Sequence, residues 1–281
     1  MKNIANHVHC EYHYLEDVLS NIDASDEFNI IVGAIHENRF SAETFSFLQE
    51  GKKNILIQVS EESESPYDLH YDKFDKIFRT YNTNLKFDNN KIFPIPCGPV
   101  TLLRFDWHKS GIPIIDSSKP LIERKNDIFF SAQPNLERIN CFDNLNRIKD
   151  YYNSYVSLTK MFVDGLQLQN YYNMMCDTKI SIVPMGVCIN ESFRFFESVF
   201  CNSVIITTHD FKSDKFNKIW YYEDCPAIIL NSWSELSTEL IDNILLNLEK
   251  YEEENRNYYH NKISAKSVGK YISEKLYIEN V

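Results

Sequence analysis

Short apolar runs rich in β-branched residues recur along the chain and alternate with longer amphipathic stretches, and this alternation restricts the possible folds more than any other feature. Strands buried on both faces read as near-continuous Val/Ile/Leu runs, and parallel strands need crossovers of a dozen or more residues between them. FNIIVGA (28–34), NILIQVS (54–60), KIFRTY (76–81) and KIFPIP (91–96) have this form in the first part of the chain. DIFFSA (127–132), KISIVP (179–184), SVIITT (203–208) and PAIIL (226–230) have it in the second. The pattern predicts an α/β protein with parallel sheets. Helices are predicted over 42–50, around 142–164, over 167–176 and 191–201, and through most of the last forty residues, where SELSTEL starts a helical pattern.

The segment 98–126 carries Pro99, Pro113 and Pro120 together with SGIP and DSSKP, a density of turn formers that breaks regular structure. It divides the chain near residue 120 into a first lobe, 1–120, and a second, 121–281. Two βα halves predict two Rossmann-like lobes facing a cleft with a C-terminal helical segment; one larger doubly wound sheet is the rival. At 281 residues and 43% hydrophobic, the chain is large enough to bury such cores. Its 29 Lys+Arg against 40 Asp+Glu, a net charge of -11, argue against sequence-independent nucleic-acid binding through a broad basic face.

The seven cysteines form no C-x-x-C pair, and a reduced, cytoplasmic setting accounts for them most simply. MKNIANHVHCEYHYLED lacks the apolar core of a signal peptide, and no window reaches the ~18 apolar residues of a membrane span. The tail after Asn257 is mildly basic and aromatic-rich. Contact with anionic lipid at the inner membrane face and return to the first lobe both fit it, and a packing helix is the simpler expectation.

The stretch NESFRFFESVFCNSVIIT (190–207) places charges where a packing helix has little use for them. At helical spacing Phe193, Phe196 and Phe200 share a face, Glu197 lies beside it, and Arg194 sits three residues before Glu197. Glu191 and Ser192 fall in the first turn, so free N–H groups and the positive end of the helix dipole face the loop after KISIVPMG, a place suited to an anion and commonly to phosphate. The simpler account is an intrahelical Arg194–Glu197 pair worth about 0.3–0.5 kcal/mol on a solvated face.

KISIVPMGVCINESFRFFESVFCNSVIIT followed by WYYEDCPAIILNSWSEL resembles the C-terminal signature of exostosin-like glycosyltransferases over residues 176–240, with weaker likeness in DIFFSAQPNLER and MFVDGLQLQNYYNMMCDTKI. The resemblance implies a GT-B fold and a nucleotide-sugar donor held mostly by the second lobe. By it, Arg194, with Ser192 and nearby N–H groups, holds the donor diphosphate, and Glu197 accepts the ribose hydroxyls. Arg138 is a candidate second cation, and Gly186 lets the backbone approach the donor. Glu191 is expected toward sugar hydroxyls or solvent. Met185 and Asn202 stand where the family more often has a basic or small residue and a glycine, and Asn tolerates the left-handed backbone.

The first lobe is then the acceptor side, receiving a glycan or lipid-linked glycan, as in bacterial surface polysaccharide synthesis. His36 and Glu37, just beyond a strong strand, are its candidate catalytic bases, with Asp106 and His108 behind them. No D-x-D triplet occurs, so metal-independent transfer without a cofactor is expected. The cluster His7, His9, Cys10 and His13 lacks a second ligand pair of familiar spacing, and no metal is expected there. A binding protein of the same fold, engaging a nucleotide or a glycan without turnover, is the alternative.

Overall fold

The computed structural model describes residues 12–34, 45–59, 71–80, 91–99, 114–160, 164–186, 192–211 and 219–278. Two compact units divide the chain. One comprises Met1–Gly98, Asp214–Glu223 and Lys262–Val281; the other comprises Pro99–Ser213 and Asp224–Asn261. The division therefore falls at Gly98 and not near residue 120, and the tail belongs with the first unit and not with the second.

The first unit holds α1 (Tyr12–Ser20) and a four-stranded sheet, β1 (Phe28–Ala34), β2 (Lys53–Val59), β3 (Lys76–Arg79) and β4 (Ile92–Pro94). The strands lie in the order β1-β2-β3-β4, all parallel, with Ile55, Leu56, Ile57, Ile77 and Phe78 fully buried. The tail helix, Ala265–Leu276, packs on α1 for specific reasons. Its Val268, Ile272 and Leu276 are buried, and a side chain on Gly269 would lie 2.6 Å from the Asn21 Cβ, so only glycine permits the close approach. Tyr14 donates to the Ile263 carbonyl at 2.6 Å, and the Asp23 amide donates to Ser273 Oγ at 2.8 Å. The buried Lys76 ammonium donates to the carbonyls of Lys275 and Ile278, where a cation meets the negative end of the helix.

The second unit holds α2 (Ile114–Ser117), β5 (Asn126–Ala132), α3 (Leu136–Leu145), β6 (Ser154–Leu158), α4 (Leu168–Cys176) and β7 (Thr178–Ile182). It continues through α5 (Phe193–Phe200), β8 (Val204–Thr207), β9 (Ile228–Ile229), α6 (Thr238–Leu246) and α7 (Leu248–Tyr258), so the tail helix is α8. Its five strands are all parallel in the order β6-β5-β7-β8-β9. Period-two alternation sends Ile128, Phe130, Ile180, Ile182, Val204 and Ile206 to one face, while Phe129 packs with Ile114, Met175 and Cys201 in a separate cluster. Both faces are covered, which is why these strands read as continuous apolar runs.

The helix expected around 142–164 is not present. Asn135 caps α3 earlier, accepting from the Arg138 amide at 2.8 Å, and SYVSL forms the half-buried edge strand β6. The remaining strands lie within two residues of their expected limits at either end. Among the described residues, no helix is long and apolar enough to cross a membrane.

α5 ends in a Schellman motif. The Asn202 amide donates to the Val199 carbonyl and the Ser203 amide to the Ser198 carbonyl, both at 2.9 Å, with Asn202 at φ 56°. Asn202 thus adopts the left-handed backbone where glycine is usual, but its buried amide side chain makes no hydrogen bond. Relieving that unpaired amide outweighs the extra chain entropy of glycine. Asn202→Gly is expected to raise stability by about 1 kcal/mol and Asn202→Val to lower it. Urea midpoints with an unchanged slope will read both, and a destabilised Asn202→Gly refutes this account of the turn.

Candidate anion site at the carboxyl ends of the second sheet

Counted within the unit, the strand order is 2-1-3-4-5, and it reverses direction between β5 and β7. Loops leaving neighbouring strands toward opposite faces open a crevice at such a point, beyond the carboxyl ends. The segments arriving there are Gln133–Asn135 with the first turn of α3, Val183–Gly186 after β7, and Thr208–His209 after β8.

The first turn of α3 grips the chain leaving β7. Arg138, buried, donates through Nε to the Met185 carbonyl at 3.0 Å and through one Nη to the Gln133 carbonyl at 3.2 Å. Asn135 Nδ2 lies 3.5 Å from the Gly186 carbonyl. Glu137 accepts from the Met185 amide at 3.2 Å, from Thr208 Oγ1 at 2.9 Å and from Trp233 Nε1 at 2.6 Å. Arg138 is therefore a fastener of the β7 turn, and Gly186 belongs to the turn it fastens.

The two helix N-termini beside the crevice differ. That of α3 carries its own carboxylate, Glu137, in the first turn, together with the Asn135 cap. That of α5 begins Phe193-Arg194-Phe195 with no acid, behind the N-cap Ser192, whose Oγ accepts from the Arg194 amide at 3.3 Å. Of the two, the first turn of α5 is the one that offers its partial positive charge to an anion without an acid of its own. Arg194 strengthens it: its Nε is buried without a hydrogen-bond partner.

Glu197 lies one turn further, 2% exposed, and accepts from the Tyr171 hydroxyl of α4 at 2.9 Å. Burial, and then the Glu197 charge, push Tyr171 well above its ordinary ionisation range, while Arg194 beside it pulls the other way. Tyr171 therefore stays a neutral donor that fixes the Glu197 carboxylate. Burial runs through Phe195, Phe196, Glu197, Ser198, Val199 and Phe200, so α5 is enclosed nearly all round, wider than the Phe193/Phe196/Phe200 face expected, with Phe193 only half-buried.

Structure thus brings Arg194, Ser192 and Glu197 together on α5 and places Arg138 and Gly186 at the neighbouring turn. Glu191, His36, Glu37, Asp106 and His108 lie outside the described residues, as do His7, His9 and Cys10 and the side chain of His13. Among the described residues, no group of three or more His, Cys, Asp or Glu is arranged to hold a metal. Sequence reasoning missed Glu137, Tyr171, Thr208 and Trp233. The available signals were the acid beside Arg138 in NLER and the tryptophan heading WSEL.

No family model matches the sequence, and no curated protein matches it. Among solved structures, a glycosyltransferase from Rickettsia africae ESF-5 is 13% identical, with 89% of this chain and 77% of its own covered and a TM-score of 0.48. An alpha1,3-fucosyltransferase is 13% identical, with 89% and 78% covered and a TM-score of 0.37. The wall teichoic acid polymerase TagF is 12% identical, with 88% and 70% covered and a TM-score of 0.37. Scores this low record partial overlap of chain course; they assign neither activity nor ligand.

Proposed function

We propose that this protein is a GT-B glycosyltransferase, similar to the exostosin-like family, that moves a sugar from a nucleotide-sugar donor to a glycan acceptor. The observation that carries the reading is the N-terminus of α5, whose first turn from Phe193 holds no acid, at the carboxyl ends of a parallel sheet, with a buried Arg194 Nε that makes no hydrogen bond beside it. That arrangement suits a diphosphate, whose charge grows as the glycosidic bond breaks, so a fixed cation and helix end favour the transition state over the bound donor. In this reading Arg194 and Ser192 hold the diphosphate and Glu197 takes the ribose hydroxyls. The burial of Glu197 behind Tyr171 makes Arg194 the stronger of the two assignments.

The second unit is then the donor side and the first the acceptor side, with His36 or Glu37 as base. Transfer is read as metal-independent because the chain lacks a D-x-D triplet. A lipid-linked bacterial surface polysaccharide is the acceptor class, and a cytoplasmic site with peripheral membrane contact is the matching location.

The test is thermal stability against a panel of UDP, GDP, CDP, ADP and TDP and their sugars. A ligand at about 100 times its Kd adds about 2.7 kcal/mol to a state that alone binds it. One nucleoside diphosphate is expected to raise the melting temperature, and its sugar to be turned over with release of that diphosphate. No shift from any of them sinks the donor-site assignment. A shift without turnover in the presence of glycan acceptors makes the protein a binding protein of the same fold.

A further inference from the structure

Glu137 has no part in the nucleotide reading, yet it stands at the centre of the described hydrogen bonds around the β7 turn. We propose that Glu137 is the positioning residue of the diphosphate-binding turn, acting through the Met185 amide and itself immobilised by Thr208 and Trp233. The inference rests on the reading that α5 receives a nucleoside diphosphate and that the backbone of this turn approaches it at Gly186.

Met185 is held from both sides by adjacent residues of one helical turn. Glu137 accepts from its N–H at 3.2 Å, and Arg138 Nε donates to its C=O at 3.0 Å. Among the described residues, the last bond tying this strand to its neighbour is the Val183 amide to the Ile206 carbonyl at 2.9 Å, so at Met185, beyond Pro184, the turn is held by side chains of α3. The other Glu137 oxygen is pinned by Thr208 Oγ1 at 2.9 Å and Trp233 Nε1 at 2.6 Å. Thr208 follows β8 and Trp233 follows β9, so one carboxylate links the exits of three strands.

Three donors converge on this group, and a carboxylate offers acceptors only. Glutamine at the same place turns an amide N–H₂ toward one of them, which leaves a donor unmet without removing bulk. Trp233 is 1% exposed, so the network is closed to water on that side. Glu137 also leaves α3 with a charge of its own at its N-terminus, which directs an incoming anion to α5.

The variant is Glu137→Gln, compared with wild type by calorimetry using the nucleoside diphosphate that wild type binds, the matching nucleoside, and inorganic pyrophosphate. Diphosphate and pyrophosphate affinities are expected to fall about tenfold, with nucleoside affinity unchanged. Trp233→Phe, which removes one donor to Glu137 and keeps a ring, is expected to act in the same direction and to be non-additive with Glu137→Gln. Equal loss for nucleoside and diphosphate, or diphosphate binding within twofold of wild type, overturns the proposal and leaves Glu137 a stabilising residue only. Absence of diphosphate and pyrophosphate binding in wild type overturns the reading of the site itself, a result distinguishable from the other two.

Discussion

Arg194→Ala is expected to weaken nucleoside diphosphate binding by about 100-fold. A hydrogen bond to a charged group contributes about 1.5–3 kcal/mol, and each 1.4 kcal/mol is tenfold in affinity, so losing a two-pronged guanidinium contact reaches that size. Stability also falls, because the Arg194 side chain lies beside Tyr171 and the buried Glu197 carboxylate, even though alanine is the strongest helix former and the Ser192 cap contacts the Arg194 amide and not its side chain. Tyr171 and Glu197 keep their mutual bond in the variant. Arg194→Lys restores charge without the planar fork and is expected to recover only part of the loss. Turnover should fall further than affinity, since charge accumulates on the diphosphate as the bond breaks. Calorimetry with the diphosphate and initial rates with its sugar measure the two, and an Arg194→Ala protein that binds within threefold of wild type removes Arg194 from the site.

The reach and the limit of sequence reading follow from what each element needs. β5, β7 and β8 are buried on both faces, which demands continuous Ile, Val and Phe runs that no helix period imitates. β6 is half-buried along its whole length at an edge, so SYVSL carries no comparable demand and merged into a helical window. The charges of α5 were visible because they interrupt a packing face. Glu137, Thr208 and Trp233 meet only after folding, from positions with no shared spacing, and nothing local marks them as partners. The tail's apolar face announced that α8 packs, but the partner was set by Gly269 against Asn21 and by Lys76 at its last carbonyls.

The other large effect is expected at the opposite end of the same sheet. Arg124 is 2% exposed and donates to the carbonyls of Lys119 at 3.0 Å, Thr178 at 2.7 Å and Cys201 at 2.7 Å, and to Ser203 Oγ at 3.3 Å. It joins the segment before β5, the start of β7 and the end of α5, and it sets a cation against the negative terminus of α5. Burial lowers its proton affinity, with Glu252 and Asp177 among the groups that oppose the shift. Among the described residues no carboxylate is close enough to form an ion pair with it, so its charge is held by backbone dipoles. Arg124→Ala leaves the Lys119 and Cys201 carbonyls without this donor and opens a cavity, while the Thr178 carbonyl still accepts from Ser203 at 3.1 Å. With about 1–3 kcal/mol for each orphaned carbonyl, offset in part by no longer burying a charge, the net loss is about 3 kcal/mol. At about 2–4 °C per kcal/mol, the second unit should melt about 6–12 °C earlier. Lysine cannot reach in three directions from one ammonium and is expected to rescue less than half. Nucleotide affinity measured below the transition should be retained, because the site stands a strand length away, roughly 17 Å. A loss under 1 kcal/mol means that the carbonyls find other donors, and Arg124 is then a tolerated buried charge and not the fastener of α5.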